Sequence, residues 1–151
     1  MGYEELLSPD RMEKAIYKVL MQLHAQAILL VPVDSGQLRN SLSYGTKKRN
    51  AGFNKEAGDK ANDSARVEYP DSDYVGVMGT NIEYAAAVEF GRPDMPAYPM
   101  QPYMRPAAAI VKQKAGIISK EELDREIKSF LNTHPFLNRR SSGEILKGIN
   151  A

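Results

Sequence analysis

The sequence predicts an α+β fold, in which a long N-terminal helix and further helices pack on a small antiparallel β-sheet. Apolar residues recur at helical spacing over the first thirty positions, two strand-like runs flank a turn in the middle, and helical patterns return after a proline-rich stretch. The 151 residues suit one domain with its own core. We assign that domain to residues 1–118 and a C-terminal helix with an extended arm to residues 119–151.

The first helix is predicted to run from Pro9 to Leu30. Ser8 is a capping residue, and Pro9 suits the first helical position. Pro32 ends the helix, because a proline disfavours helical conformation in the residue before it. One face is apolar at spacings of three and four residues, namely Met12, Ile16, Val19, Leu20, Leu23, Ala27 and Leu30.

The stretch "VDSGQLRNSLSY" predicts a short helix and then a strand near Leu42 to Tyr44. Asp34 or Ser35 can cap the helix through a side-chain oxygen. Residues 45–65 are polar and rich in glycine, with Phe53 as their one large apolar residue. We therefore predict a long loop there, of the kind that is functional or ordered only by a partner.

The middle of the chain predicts strands at "RVEY" and "DYVGVMGT", on either side of the turn sequence "PDSD". A short helix follows, with Asn81 as its N-cap and Gly91 as a left-handed residue at its end. A helix beginning near Arg105 is predicted to break or bend at Gly116. Another helix then starts at Ser119, where Glu122 completes a capping box.

Prolines occupy every third position from Pro93 to Pro102. This spacing is typical of a polyproline ligand, but a predicted helix on each side favours an ordered connection instead. Its larger side chains would anchor it to the sheet or to a neighbouring subunit; they are Met95, Tyr98, Met100, Tyr103 and Met104.

Composition excludes several classes of function. The formal net charge is +1, so global charge does not indicate a nucleic-acid-binding protein. The chain contains no cysteine, which excludes a disulfide framework and a thiolate metal site. We expect a soluble cytoplasmic protein, since the N-terminus lacks a secretory or myristoylation pattern and no segment is long and apolar enough to span a membrane.

Candidate catalytic groups are few, and we predict no enzyme and no cofactor or metal. His24 is expected to be a partly buried helix residue. Asp71 and Asp73 fit a turn better than a metal-dependent hydrolase, although that alternative stays open. The basic residues around Phe53 leave a nucleic-acid-binding module as a further alternative to a partner-contacting loop; they are Lys47, Lys48, Arg49 and Lys55.

Three short blocks of residues carry a family resemblance. The first is Pro32, Asp34, Ser35, Gly36, Leu38, Arg39 and Ser41; the second is Gly79, Thr80, Tyr84, Ala85, Glu89 and Gly91; the third is Pro102, Tyr103, Met104, Arg105, Pro106 and Ala107. Together they resemble the bacteriophage head–tail joining proteins, also called tail-completion or minor tail proteins, and lambda's minor tail protein Z is similar in kind. The resemblance spans about Pro9 to Gly116; residues 45–65 and the chain after Ile118 depart from it.

The resemblance implies a structural virion protein that forms a homo-oligomeric ring at the neck, assembled in the host cytoplasm. Such a ring would complete the tail or join it to the head around the DNA channel, or cap the tail tube as a terminator. Its partners would be neighbouring neck or head-closure proteins and tail-tube or terminator proteins, with DNA passing through without sequence-specific binding.

Some residues are candidates for contacts within or between subunits. Glu89 precedes the end of a predicted helix, where the helix dipole makes a carboxylate unfavourable. We expect either that a basic residue such as Arg105 or Arg92 pairs with it, or that the side chain faces water. Candidate inter-subunit contacts lie in the 45–65 loop, the proline stretch and the arm; they are Lys47, Lys48, Arg49, Phe53, Tyr98, Met100, Phe136 and Leu137.

Overall fold

A computed structural model describes residues 8–34, 36–54 and 66–133 of the chain. It combines long helices with a small antiparallel sheet, as the sequence predicts. In chain order, the elements are α1 (Pro9–Leu30), α2 (Gln37–Ser41), β1 (Ser43–Thr46), β2 (Asn50–Ala51), β3 (Gly76–Gly79), α3 (Ala85–Phe90) and α4 (Met104–Thr133).

The first helix has the predicted bounds. Ser8 is its N-cap residue and Pro9 opens its first turn, although the Ser8 side chain makes no capping hydrogen bond. The backbone carbonyl of Ser8 accepts hydrogen bonds from the amides of Arg11 and Met12 instead. Val31 leaves the helical conformation one residue before Pro32, as a residue preceding proline should.

The sheet has the order β2-β1-β3, and both pairs are antiparallel. Every residue of the central strand β1 is buried. Strand β3 lies close to α1 because residue 76 is a glycine: a Cβ there would lie 2.6 Å from Cδ1 of Leu20. The sheet therefore packs directly against the long first helix.

The strand predictions are partly wrong. Strand β1 extends to Thr46, and β2 lies inside the stretch predicted as loop, because a tight turn closes a hairpin in which the Thr46 amide donates to the Arg49 carbonyl at 2.7 Å. Residues 66–69 form no strand. The amide of Val67 donates to the side-chain hydroxyl of Ser43 at 3.0 Å, so it bonds to a side chain and not to a strand backbone.

Helix α4 is continuous from Met104 to Thr133, so the predicted break at Gly116 and the new start at Ser119 are wrong. Gly116 lies on an exposed part of the helix with no atom near its missing Cβ. Glu122 is buried and pairs with Arg125 at 2.6 Å, so it does not complete a capping box. The division of the chain at residue 118 stays a prediction, although the helix runs through that position.

Helices α1 and α4 pack antiparallel. At one end, the Lys14 ammonium contacts the Glu126 carboxylate at 2.9 Å, and the Arg11 guanidinium lies 4.6 Å from the centre of the Phe130 ring. At the other end, both helices contribute to the main core, together with α3, the first turn of α2 and the residue that precedes β1. Its buried members are Ala27, Val31, Leu38, Leu42, Ala85, Tyr103 and Ala107.

Candidate interaction surface

An open groove lies where the end of α1, the start of α3 and the proline stretch meet. Its volume is about 630 Å³. We call it the α3 groove and define it by six of the residues that line it: Val33, Asp34, Leu38, Tyr84, Val88 and Tyr98. Residues of the first and second sequence blocks thus lie on one surface, which sequence spacing alone does not reveal.

The first block forms one wall of the groove. Gly36 is the N-cap residue of α2 and has φ of 82°, a left-handed conformation that favours glycine. Gly36 holds the N-cap position and Asp34 precedes it by two residues, so the prediction that Asp34 caps this helix is wrong; Ser35, the other predicted cap, lies outside the described residues. Asp34 is exposed and lines the groove. Burial raises the pKa of the Tyr84 phenol, and the nearby Asp34 carboxylate adds to that shift.

A buried pair of hydroxyls joins the first block to the second. Ser41 donates a hydrogen bond to the Leu38 carbonyl at 2.7 Å, and the hydroxyls of Ser41 and Thr80 are 2.6 Å apart. Because the one hydroxyl proton of Ser41 is used in this way, Thr80 is the donor between them. Thr80 in turn accepts from the Ile82 amide, which holds the chain that enters α3.

The remaining block residues have different environments. Leu38 and Ala85 are buried in the core, Gly79 pairs with Ser43 in the sheet, and Arg39 is exposed on α2. Helix α3 begins at Ala85 and not near Asn81, because the Asn81 side chain donates to the Arg66 carbonyl instead of capping a helix.

Glu89 joins the second block to the third. Its carboxylate accepts hydrogen bonds from the backbone amides of Tyr103, Met104 and Arg105 at 2.8, 2.9 and 3.0 Å. It also accepts from Nε of Arg105 at 3.0 Å, and a second nitrogen of that guanidinium donates to the Glu89 carbonyl. The pairing with Arg105 is confirmed, whereas the alternative that Glu89 faces water is wrong, since the residue is 4% exposed.

This carboxylate satisfies the free amides of the first turn of α4, which have no partner within the helix. Burial by itself would raise the pKa of Glu89, but the three amides and the Arg105 side chain outweigh it and hold that pKa below its ordinary value. A negative charge at a helix N-terminus is also favoured by the helix dipole. Glu89, near the end of α3, therefore stabilises the start of α4.

The proline stretch is a loop whose two ends are held together. Gly91 begins it with φ of 78°, as predicted for that glycine, and the Gln101 amide donates to the Val88 carbonyl at 2.8 Å. Tyr103 is 2% exposed and anchors the loop in the core, whereas Tyr98 and Met100 are 63% and 58% exposed. The end of the loop is thus anchored within the chain, whereas anchoring of its middle to a neighbouring subunit stays a prediction.

Exposed apolar residues continue beyond the groove. Val33 in the groove is 58% exposed, and Phe90, at the end of α3, is 62% exposed with the Arg105 guanidinium 4.8 Å from the centre of its ring. Met100 lies against Gly91, so it belongs to the same surface as Phe90. Exposed apolar surface of this kind is typical of a site that binds another protein.

Part of this surface escaped sequence reasoning. Val33 and Val88 line the groove, yet neither was predicted as a site residue, and Arg92, which also lines it, was named only as a candidate partner of Glu89. The available signal was Val33, an apolar residue directly after the proline that ends α1, where nothing requires an apolar side chain. Arg92 is paired with Asp94 at 2.8 Å and not with Glu89.

The basic residues of the hairpin turn have partners within the chain. Lys47 lies 3.9 Å from Asp73, and Lys48 lies 3.3 Å from Asp10. Arg49 pairs with the buried Glu13, which also accepts a hydrogen bond from Thr46. These contacts attach the β1–β2 hairpin to α1; the roles of the three basic residues between subunits stay predictions.

The other predicted residues lie apart from the groove. The Arg66 guanidinium lies 4.8 Å from the centre of the Phe53 ring. His24 is a partly buried helix residue, as predicted; its ring packs against that of Tyr44, and burial lowers its pKa. Phe136, Leu137 and Lys55 lie outside the described residues. Within residues 8–34, 36–54 and 66–133, no three carboxylate or histidine side chains are grouped as a metal site would require. In those same ranges, no helix has the length and apolar character to cross a membrane.

Comparison with known proteins decides the family. A family model described as "Bacteriophage HK97-gp10, putative tail-component" matches residues 3–91, more than half of the chain. The chain belongs to this family of bacteriophage tail components. No curated protein and no solved structure gave a significant match.

Membership identifies a structural component of a phage tail, which implies a place in the virion and contacts with other virion proteins. The matched range contains the first two sequence blocks and ends at Gly91. The third block, residues 102–107, lies beyond the match, yet Glu89 joins it physically to the second. Its membership in the family pattern stays a prediction.

Proposed function

We propose that this protein forms a ring at the neck of a tailed phage, where it completes the tail or joins it to the head around the DNA channel. The observation that carries the proposal is the α3 groove with its exposed apolar rim, in a chain that belongs to a tail-component family. A subunit of a closed ring needs two different surfaces that fit one another, and a groove supplies one of them.

The loop at residues 91–103 suits this role. Glu89 and the Gln101 amide hold both of its ends, so the loop presents Tyr98 and Met100 without a large loss of conformational freedom on binding. Aromatic residues and methionine are enriched where proteins contact one another. The loop and groove together form a preorganised contact surface.

The proposal is tested by measuring the mass of the purified protein and by locating it in virions with an epitope tag. A ring protein gives a defined cyclic oligomer, on its own or with a neck partner, and the tag appears at the head–tail junction. A protein that is strictly monomeric under all these conditions and missing from virions contradicts the proposal.

A tail terminator that caps the tail tube is the second candidate within the same class. The groove and apolar rim serve either position equally well. Electron microscopy of particles that lack this protein separates the two. If the protein stops tail growth, its loss is expected to give tails of irregular length; if it joins finished tails to heads, its loss is expected to give complete tails beside unjoined heads.

We further propose that residues 45–65 or the segment after Asn132 reach an adjacent subunit or the tail tube. Deleting either segment is expected to leave the stability of the monomer little changed and to impair assembly. Normal tail joining after both deletions contradicts this part of the proposal.

A metal-dependent hydrolase and a nucleic-acid-binding module remain alternatives of other classes. The first predicts divalent-metal binding that is lost when Asp71 and Asp73 become asparagine, and the second predicts DNA affinity that falls steeply with salt. The ion pairs that Asp73, Lys48 and Arg49 make within the chain favour neither alternative.

A further inference from the structure

We propose that the segment after α4, through Phe136 and Leu137, occupies the α3 groove of a neighbouring copy of this chain. The inference rests on the proposed ring and names the contact that closes it. Its three supports are the reach of the chain, the chemistry of the groove and the position of the two surfaces at opposite ends of α4.

The chain between the end of α4 and Phe136 is too short for Phe136 to enter the groove of its own subunit. Helix α4 has 30 residues, so it is about 45 Å long. Gln101 contributes to the groove lining only three residues before α4 begins, whereas Phe136 follows its last residue, Thr133, by three. Three residues span at most about 11 Å, so Phe136 stays more than about 20 Å from its own groove.

The chemistry of the groove suits this segment. Apolar and aromatic side chains dominate the lining, with Val33, Leu38 and Val88 among them. The sequence "HPFLNRR" offers two consecutive large apolar residues followed closely by two arginines. Asp34 lies in the groove wall, and the one basic residue of the lining, Arg92, is paired with Asp94. A neighbouring Arg139 or Arg140 would therefore have one carboxylate in the groove to pair with, that of Asp34.

The geometry also fits a ring. The groove lies beside the start of α4 and the proposed occupant leaves its far end, so one chain carries the two halves of a contact about 45 Å apart. Such a contact joins each subunit to the next in the same direction. Repeated head-to-tail contacts of this type close into a ring when the rotation between subunits permits.

Disulfide trapping tests the inference directly, because the natural chain contains no cysteine. Val33→Cys places a thiol in the groove and Leu137→Cys places one in the proposed occupant. Two proteins that each carry one of these changes are mixed, assembled and mildly oxidised. We expect a covalent heterodimer in at least tenfold higher yield than from Ile117→Cys mixed with Leu137→Cys, since Ile117 is 62% exposed midway along α4.

The mass of each sample, measured before oxidation, separates the two hypotheses. If rings form but the yield of disulfide-linked heterodimer does not exceed that of the Ile117→Cys control, this inference is overturned and the proposed function is left intact. A sample without oligomers under any condition overturns both. When both cysteines are in one chain, a ladder of linked chains supports the inference, and a monomer closed on itself overturns it.

Paired substitutions give a second test. Phe136→Ala with Leu137→Ala is expected to weaken subunit association at least tenfold, because both side chains would leave an apolar groove. Ile145→Ala with Leu146→Ala removes similar apolar groups from the same segment and serves as the control. Equal effects of the two pairs contradict the proposed occupant.

Discussion

Removing the charge of Glu89 should destabilise the fold strongly although only one atom changes. Glu89→Gln keeps the size of the side chain but replaces one accepting oxygen with an amide group that donates. The native carboxylate accepts from three backbone amides and from Arg105, and the residue is 4% exposed. In the variant, at least one buried amide loses its acceptor and the guanidinium loses its charged partner.

The magnitude follows from these contacts. A hydrogen bond to a charged group contributes about 1.5–3 kcal/mol, and an unsatisfied buried donor costs about 1–3 kcal/mol. We therefore expect Glu89→Gln to lower the free energy of unfolding by about 2–3 kcal/mol. Glu89→Ala, which removes every acceptor, should lower it by about 3–5 kcal/mol.

Urea denaturation measures these values, and with an m-value of about 2 kcal/mol/M the midpoint of Glu89→Gln falls by roughly 1–1.5 M. Glu83→Gln is the matched control, since it makes the same chemical change at an exposed position near α3 and should alter stability by less than about 0.5 kcal/mol. Equal midpoints for the two variants would refute the structural role of Glu89. Hydrogen exchange at the amides of residues 103–105 should also become faster in Glu89→Gln alone.

Three further predictions follow from the same structure. The folded protein lowers the pKa of Glu89, so the stability that this carboxylate supplies is present above its ordinary pKa of about 4.3 and is lost as pH falls through the folded value. Urea midpoints between pH 7 and 3 should therefore fall more for the natural protein than for Glu89→Gln. Parallel pH profiles of the two proteins contradict this prediction. Gly116→Ala should raise the free energy of unfolding by about 0.5–1 kcal/mol, because Gly116 is helical with open space around it. Gly91→Ala should lower the free energy of unfolding by about 1–3 kcal/mol, because Gly91 has φ of 78° and ψ of 179°. Thermal or urea unfolding checks the sign of both changes. Tyr98→Ala should change stability by less than about 0.5 kcal/mol but weaken oligomer formation, since Tyr98 is 63% exposed. If the variant and the natural protein sediment alike, Tyr98 does not contact a neighbouring subunit.

Local sequence signals predicted the helices better than the sheet. The bounds of α1 follow from Ser8, Pro9 and Pro32, each of which acts on its immediate neighbours. Strand β2 was missed because its two residues carry no apolar alternation and depend on a turn that Arg49 and the buried Glu13 attach to α1. That contact joins residues far apart in the chain, which periodicity cannot detect.

The continuity of α4 was missed for a related reason. An exposed glycine lowers the stability of a helix by about 1 kcal/mol relative to alanine. For that reason, the local sequence around Gly116 predicts a break. Contacts with α1 on both sides of Gly116, through Ala107 near one end and Glu126 near the other, outweigh that cost. Tertiary packing, which sequence propensity does not contain, decides the outcome.

The interaction surface was predicted in its parts and not as a whole. The sequence indicated that Asp34, Tyr84 and Tyr98 matter, but their convergence on one groove depends on how α3 lies beside the end of α1. The partner of Glu89 was left open because its amide donors lie fourteen to sixteen residues further along the chain. A carboxylate near the end of one helix can cap the next helix only when the loop between them folds back.

Electron cryo-microscopy of purified virions would show whether this protein forms a ring at the neck. We expect density at the head–tail junction into which copies of this fold fit as a cyclic ring around the DNA channel, with extra density in each α3 groove continuous with the far end of α4 of the adjacent subunit. A particle in which this chain is missing from the junction, or is present there as single copies without contact between them, contradicts it.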